Sequence, residues 1–282
     1  MTANSKSEFL PEMSAIAREA GKVLMDHFLQ NIGIEYKGEA DLVTDADRAS
    51  ERLIVSRLHD RWPDHGIVGE EGSNRKSDSS YRWYVDPLDG TTNFAHGYPV
   101  FCVSIGLEQA GVPEAGVLFD PTRNELFAAE RGQGATLNGK PIRVSKLQKL
   151  SEAILGTGFP SPKRHENPNI HFYHQLTLRS HGVRRAGSAA LDLANVASGR
   201  YDGFWEFNLN PWDTLAGVLL VLEAGGKVTR FDGSPWRLES SETLASNGLL
   251  HQELIRNFTE IFAGRGLAPL PSPKNWTRDR RP

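Results

Sequence analysis

Apolar positions change their spacing several times along the chain, and each change marks an element. From Pro11 the residues Met13, Ile16, Ala17, Ala20, Val23, Leu24 and Phe28 share one helical face. Pro11 suits a first helical position, where its missing N–H leaves no bond unmade. A second helical pattern opens at TDAD (44–47) and runs through RASERLIVSRLHDRW to a stop at Pro63. GIVGEEGS (66–73) reads as a short strand ending in glycine and two glutamates, and residues 73–81 as a polar loop. WYV (83–85) is apolar enough for a buried strand. VFCVSIGLEQ, EAGVLFDP and ELFAAE follow, separated by AGVP and PTRN, and predict an antiparallel meander. RGQGATLNG (131–139) lacks a strand-to-helix context and reads as a hairpin turn rather than a nucleotide loop.

Composition shifts near residues 143–152. Beyond it AILGTGF predicts a strand, PSPKRHENPN a polar loop, IHFYHQLTLRS a helix, and SAALDLANVASG a helix that stops at Gly199. YDGFWEF is a strand, and PWDTLAGVLLVLEAGG is a helix with Pro211 near its start and Gly225 near its end. This alternation predicts an α/β (α+β mixed) protein with a mixed sheet. The expected division is an N-terminal α+β half (1–147), a C-terminal α/β half (148–268) and a disordered tail (269–282). The two halves form one continuous unit.

Bulk charge narrows the function. The net charge of −3 gives no electrostatic footprint for nucleic acid or an anionic membrane. An anionic substrate therefore needs local positive charge, from a metal or from backbone dipoles. The single cysteine, Cys102, sits in an apolar run and reads as a buried small hydrophobe. It permits no intrachain disulfide, which fits a reducing compartment. MTANSKSEFLPEM lacks the apolar stretch of a signal peptide, and no window approaches the roughly 18 apolar residues of a membrane span. The cytoplasm is the expected location.

The chemistry concentrates in acids at element ends: Asp47 in TDAD, Glu70 and Glu71 in GEE, Asp86 and Asp89 in DPLDGTT, and Asp213 in PWD. A strand driven inward should not finish in two unpaired carboxylates, because burying such charges is costly. A few carboxylates, a carbonyl and water suit a hard divalent cation such as Mg2+. Gly90 lets backbone approach closely, and Thr91, Thr92 and Asn93 can open a helix whose free N–H groups attract an anion. Taken singly, other readings stand. Asp47 and Asp213 each lie three residues after a capping residue, Thr44 and Asn210, and so match a helix cap. The two glutamates alone would pass for a solvated turn. His165, His171 and His174 lack a zinc-ligand spacing.

GEE, DPLDGTTNF and WDTLAGVLLVLEAGG, in that order and spacing, resemble the inositol monophosphatase family, within the lithium-sensitive phosphatase superfamily that includes fructose bisphosphatases. DLVTDAD, RNELFAAERGQGATLNG and GSAALDLANVASGRYDGFWE extend the resemblance over nearly the whole chain. It implies a layered αβαβα sandwich, a homodimer and two or three Mg2+ ions per site. Glu70, Asp86 and the Leu88 carbonyl would hold the first ion. Asp86, Asp89 and Asp213 would hold the second, with Asp86 bridging, and a third, weaker ion would lie near Glu70. Thr91 and Asp47 would orient the attacking water, with Glu70 counted among the catalytic residues. Gly90 and Thr91 N–H groups, with Asp89, Thr92 and Asp213 beside them, would meet the phosphate. Glu206 and the backbone around Ser188 and Ala189 would contact polyol hydroxyls. Lys37 is a further water contact in the family pattern.

The resemblance implies Mg2+-dependent hydrolysis of inositol monophosphates of the myo-inositol 1-phosphate type. Histidinol phosphate and fructose 1,6-bisphosphate share the same metal chemistry. 3′-Phosphoadenosine phosphates and NADP are disfavoured by the short loop between Glu71 and Asp86. A reading of another class makes the fold a scaffold for a macromolecular partner.

Overall fold

The computed structural model describes residues 8–28, 34–38, 41–159, 167–270 and 272, with backbone alone for 34–38 and 41–43. Helix α1 (Leu10–His27) precedes a hairpin of β1 (Ile34–Gly38) and β2 (Asp41–Thr44), and α2 (Asp45–Arg61) follows directly. The chain continues through β3 (Gly66–Gly69), β4 (Asn74–Arg75), β5 (Tyr81–Asp89) and the short α3 (Thr91–Ala95). Strands β6 (Cys102–Gln109), β7 (Val112–Asp120), β8 (Glu125–Glu130), β9 (Gly134–Leu137) and β10 (Lys140–Pro141) complete an eight-stranded sheet of order β10-β9-β8-β7-β6-β5-β3-β4. Only β3 and β5 run parallel in it, so the predicted meander is present.

The second sheet is built from β11 (Ile154–Thr157), β12 (Gly182–Arg184), β13 (Gly203–Phe207), β14 (Lys227–Thr229) and β15 (Glu242–Ser246), in the order β12-β11-β13-β15-β14. Helices α4 (Asn169–Arg179), α5 (Ala189–Ala197), α6 (Pro211–Glu223) and α7 (His251–Phe262) are interleaved with these strands. α1 and α2 cover the outer face of the large sheet, through a core that includes Met13, Ile54, Trp83 and Val117. α5 and α6 lie between the sheets, where Leu193, Val218 and Leu220 meet Leu118, Phe127 and Phe204. α4 and α7 close the far face of the small sheet, with Phe172 and Phe258 against Leu155 and Trp205. The result is the five-layer αβαβα arrangement. No helix among the described residues is long and apolar enough to cross a membrane.

Several local outcomes differ from the sequence pattern, which assigns no element to the β1–β2 hairpin and a loop to the residues of β4. The strand predicted over 83–85 runs from Tyr81 to Asp89, so both aspartates lie within it. Pro87 has no N–H for the ladder, and the pairing passes from Asp86 opposite Ser104 to Asp89 opposite Cys102 through a bulge. After Gly226 the structure adds β14, β15 and α7, to which the pattern above assigns no element. The tail beyond 272, residues 160–166 of the predicted polar loop with His165, and the Lys37 side chain lie outside the described residues.

Candidate active site

Helix α2 begins with a capping box. Thr44 N–H and Oγ1–H donate to Asp47 Oδ2 at 2.8 and 2.5 Å, and Asp47 N–H returns toward Thr44 Oγ1. Asp47 is fully buried, and its other oxygen, Oδ1, accepts from Thr91 Oγ1 at 3.2 Å. The cap and the contact to the DPLDGTT turn therefore coexist in one side chain. Burial raises the Asp47 carboxyl, and the hydrogen bonds from Thr44 and Thr91 offset part of that rise.

The bulge in β5 sets the next three groups. Asp86 is 2% exposed, and its Oδ1 accepts from Leu88 N–H at 2.9 Å. The Leu88 carbonyl accepts from Thr91 Oγ1 at 3.1 Å, so the one hydroxyl proton is shared between Leu88 and Asp47. Asp89 reaches across the molecule. Its Oδ2 accepts from Ser188 Oγ at 2.6 Å and from Ala190 N–H at 2.8 Å, which ties the start of α5 to the end of β5. Gly90 has φ of 104°, and a Cβ there would lie 2.8 Å from the Val100 carbonyl oxygen, so only glycine makes this turn unstrained. Asp213, in the first turn of α6, accepts from Asn210 N–H at 2.7 Å.

These elements converge on a cavity of about 190 Å³. Glu70, Asp89, Gly90, Thr91, Thr92, Ser188, Ala189, Glu206 and Asp213 line it. Asp47, Asp86 and Leu88 lie beneath that lining, each almost or wholly buried. The twelve residues to which the resemblance gives a metal, water or substrate role, Lys37 aside, thus gather in one region. His171 and His174, on α4, do not line the cavity.

Electrostatics show what the region lacks. Burial, then the charges of Glu70, Asp89 and Asp213, push the Asp86 carboxyl well above the usual carboxylate range. Burial raises Asp89 to about 6 despite its bonds from Ser188 and the α5 backbone. Burial and then Asp89 raise Asp213 to about 7. None of the chief influences on these three carboxyls is a Lys or Arg. Among the described residues no group of three or more His, Cys, Asp or Glu side chains is arranged to hold a metal ion as it stands. The donor chemistry nonetheless fits a hard divalent cation: four acids and a backbone carbonyl lie together, and the charges of Glu70, Asp89 and Asp213 raise the Asp86 carboxyl.

Several contributors escape the sequence pattern. Glu51, 4% exposed on α2, accepts from Glu71 N–H at 2.8 Å and Ser73 N–H at 3.0 Å, and so fixes the loop that carries Glu70. Ser50 Oγ donates to the Pro87 carbonyl inside the bulge. Asn93 Nδ2 donates to the carbonyls of Val100 and Ala186, joining the two halves of the site. A signal for the first two was present: Asp47, Ser50, Glu51, Ile54 and Leu58 fall on one helical face and are all buried. Arg185 and Asp192 also line the cavity.

Comparison with known proteins agrees with this architecture. The sequence pattern of the inositol monophosphatase family matches residues 5–262. An inositol-1-monophosphatase from Synechocystis is 50% identical over 224 residues, covering 78% of each chain. A Pseudomonas aeruginosa protein named Nus factor SuhB is 46% identical over 247 residues, covering 85% of this chain and 91% of its own. The solved inositol monophosphatase from Anabaena superposes with a TM-score of 0.82 at 44% identity, covering 93% of this chain and 97% of that one.

Proposed function

The chain belongs to the inositol monophosphatase family and is a phosphatase, and we propose that it hydrolyses inositol monophosphates, of the myo-inositol 1-phosphate type, with Mg2+ as cofactor. The observation that carries the reading is the convergence of Glu70, Asp86, Asp89 and Asp213 beside the Gly90–Thr91 turn, where burial and the charges of the neighbouring acids raise the Asp86 carboxyl. Members of this family are generally metal-dependent. Glu70, Asp86, Asp89, Asp213 and the Leu88 carbonyl would hold two Mg2+ ions, with Asp86 shared, and a third would lie near Glu70. Bound there, Mg2+ supplies positive charge for the phosphoryl oxygens and makes a water more acidic.

The protein's own groups orient the reaction. Thr91 Oγ1 donates its proton to Asp47 Oδ1, which leaves its lone pairs to accept a hydrogen bond from the attacking water. The fixed Thr44 bonds keep Asp47 in place for this task. Backbone N–H groups of Gly90 and Thr91, with the Thr92 side chain, bind the phosphoryl oxygens. The water oxygen bonds to phosphorus and releases a proton through Thr91 to Asp47 as the phosphorus–alcohol bond breaks, and the alcohol leaves with a proton from solvent. Glu206 and the Ser188–Ala189 backbone receive the polyol. Histidinol phosphate and fructose 1,6-bisphosphate remain alternative substrates for the same chemistry, and we further propose a homodimer.

The test is phosphate release from inositol 1-phosphate, histidinol phosphate and fructose 1,6-bisphosphate, each with Mg2+ and with chelator. The reading expects the highest kcat/KM on inositol 1-phosphate and no release in chelator. A higher value on either rival would reassign the substrate, and full activity in chelator would remove the metal.

The Pseudomonas relative's name favours a second role with a macromolecular partner. That role predicts that a catalytically silent Asp86→Asn protein still captures the same partner from a lysate as the wild type.

A further inference from the structure

Asp192 sits in the first turn of α5, a helix that is otherwise apolar except for Asn195. It is 1% exposed, and Oδ1 has no hydrogen-bond partner. Buried carboxylates are normally paired or hydrogen-bonded, because the water they lose must be replaced. Here nothing in the described protein replaces it, yet the side chain lines the active-site cavity. Glu206 lines the same cavity, is 6% exposed, and forms no side-chain hydrogen bond among the described residues. Gly158 clears space for it, since a Cβ there would collide with the Glu206 carboxylate. Arg185, exposed at the rim, lines the cavity and makes no ion pair among the described residues. Its charge lowers both acids while their own burial raises them.

The two acids thus make a wall of acceptors facing a cavity, with one cation at its mouth. A further cation is disfavoured beside Arg185. Neutral donors suit the wall: a hydroxyl gives one hydrogen bond to a carboxylate oxygen and brings no charge. We propose that Asp192 is a specificity-determining residue, its carboxylate accepting a hydrogen bond from a hydroxyl on the alcohol portion of the substrate, beside the one taken by Glu206. This rests on the phosphomonoesterase reading and extends it: preferred substrates carry two hydroxyls spaced to meet both acids, and esters of simple alcohols are discriminated against.

The experiment measures kcat/KM of the full chain with Mg2+ on inositol 1-phosphate, its monodeoxy analogues and p-nitrophenyl phosphate. For Asp192→Asn, kcat/KM on inositol 1-phosphate should fall about 10- to 100-fold relative to p-nitrophenyl phosphate, the range of a hydrogen bond to a charged group. The fall should reside mainly in KM. One deoxy analogue should be as poor for the wild type, and Asp192→Asn should not worsen it further. Thermal stability should hold or rise, because no protein bond is lost. Equal losses on both substrates, or a lowered melting temperature with an unchanged substrate ratio, overturn the proposal by returning Asp192 to a structural role. If the variant does not fold, the wild-type deoxy series decides: uniform kcat/KM across it overturns the proposal. Failure of the underlying reading looks different, since the wild type would then release phosphate from neither substrate.

Discussion

The carboxylates around the cavity are treated in two opposite ways. The chain holds one set: Asp47 by Thr44 and Thr91, Asp86 by Leu88 N–H, Asp89 by Ser188 and Ala190, and Asp213 by Asn210 N–H. The other pair, Asp192 and Glu206, has no hydrogen bond from the described protein. The first arrangement fixes the direction of each oxygen before any ligand arrives, as an ion with strict geometry requires. The second leaves acceptors open for groups that differ from one substrate to the next. The proposed catalytic acids are thereby held by the protein, and the proposed selectivity rests on two side chains that it leaves open.

Four changes should break or sharpen this contrast. Asp86→Asn removes the acid proposed to serve two ions and should lower kcat by about 10³-fold or more, while p-nitrophenyl phosphate and inositol phosphates suffer alike. A substrate-selective loss would contradict the metal role of Asp86. Thr91→Ala and Asp47→Asn should each cost about 10²- to 10³-fold in kcat with little change in KM, the scale of a group that orients a proton transfer. Since one hydrogen bond joins them, the double variant should be scarcely worse than the poorer single one. Multiplicative losses would mean independent roles, with Asp47 reduced to its cap.

Glu51→Gln tests the support beneath the ions. Gln keeps one acceptor but turns its amide toward a backbone N–H, so the loop at 69–73 loosens. The Mg2+ concentration for half activity should rise about 10- to 100-fold, with kcat recovered at saturation. An unchanged requirement would show that Glu51 is only structural.

The change with least effect on turnover lies far from the cavity. His251 is wholly buried, with Ser246 Oγ 2.8 Å from Nδ1 and Thr229 Oγ1 2.8 Å from Nε2. Gly248 N–H donates to Ser246, and Thr229 Oγ1 donates to the Arg230 carbonyl. A neutral ring that accepts at Nδ1 and donates at Nε2 satisfies this chain completely. Burial, then Lys227, lowers the imidazole to about 4. The unfolded chain, near 6.5, takes up its proton first as pH falls. The stability from His251 is therefore full above about pH 6.5 and lost progressively toward pH 4, on the order of 3 kcal/mol in all. Denaturant midpoints should show the gap between wild type and His251→Gln closing across that window. A pH-independent gap would mean that the ring is not neutral in the folded state.

The contrast also accounts for what could be read from sequence. Asp86, Asp89 and the Gly90–Thr91 turn were legible because they are contiguous: two acids closing an apolar strand before Gly-Thr-Thr call for a counter-charge at that very place. Asp47 and Asp213 were legible as caps, and the structure shows that the cap and the site contact are compatible. Glu51 and Asp192 were hidden by their surroundings. A glutamate amid RASERLIV looks like an ordinary solvent-facing charge until the buried face is drawn through Ser50 and Ile54. Asp192 depends on β13 and α5 meeting across the cavity, which no local window records. The same holds for β14 and β15, where KVT and ETLAS are short and gain their strand character from pairing with each other.

The most direct test of the account is thermal stability against Mg2+, because it reads the clustered carboxylates without reference to any substrate. Wild type should melt lowest in chelator and rise with Mg2+ concentration, as ligand binding to the folded state requires. Asp86→Asn, with one charge fewer in the cluster, should melt higher than wild type in chelator and respond weakly to Mg2+. A wild type indifferent to Mg2+, or an Asp86→Asn protein that responds as fully as wild type, would contradict the claim that these acids are a metal site.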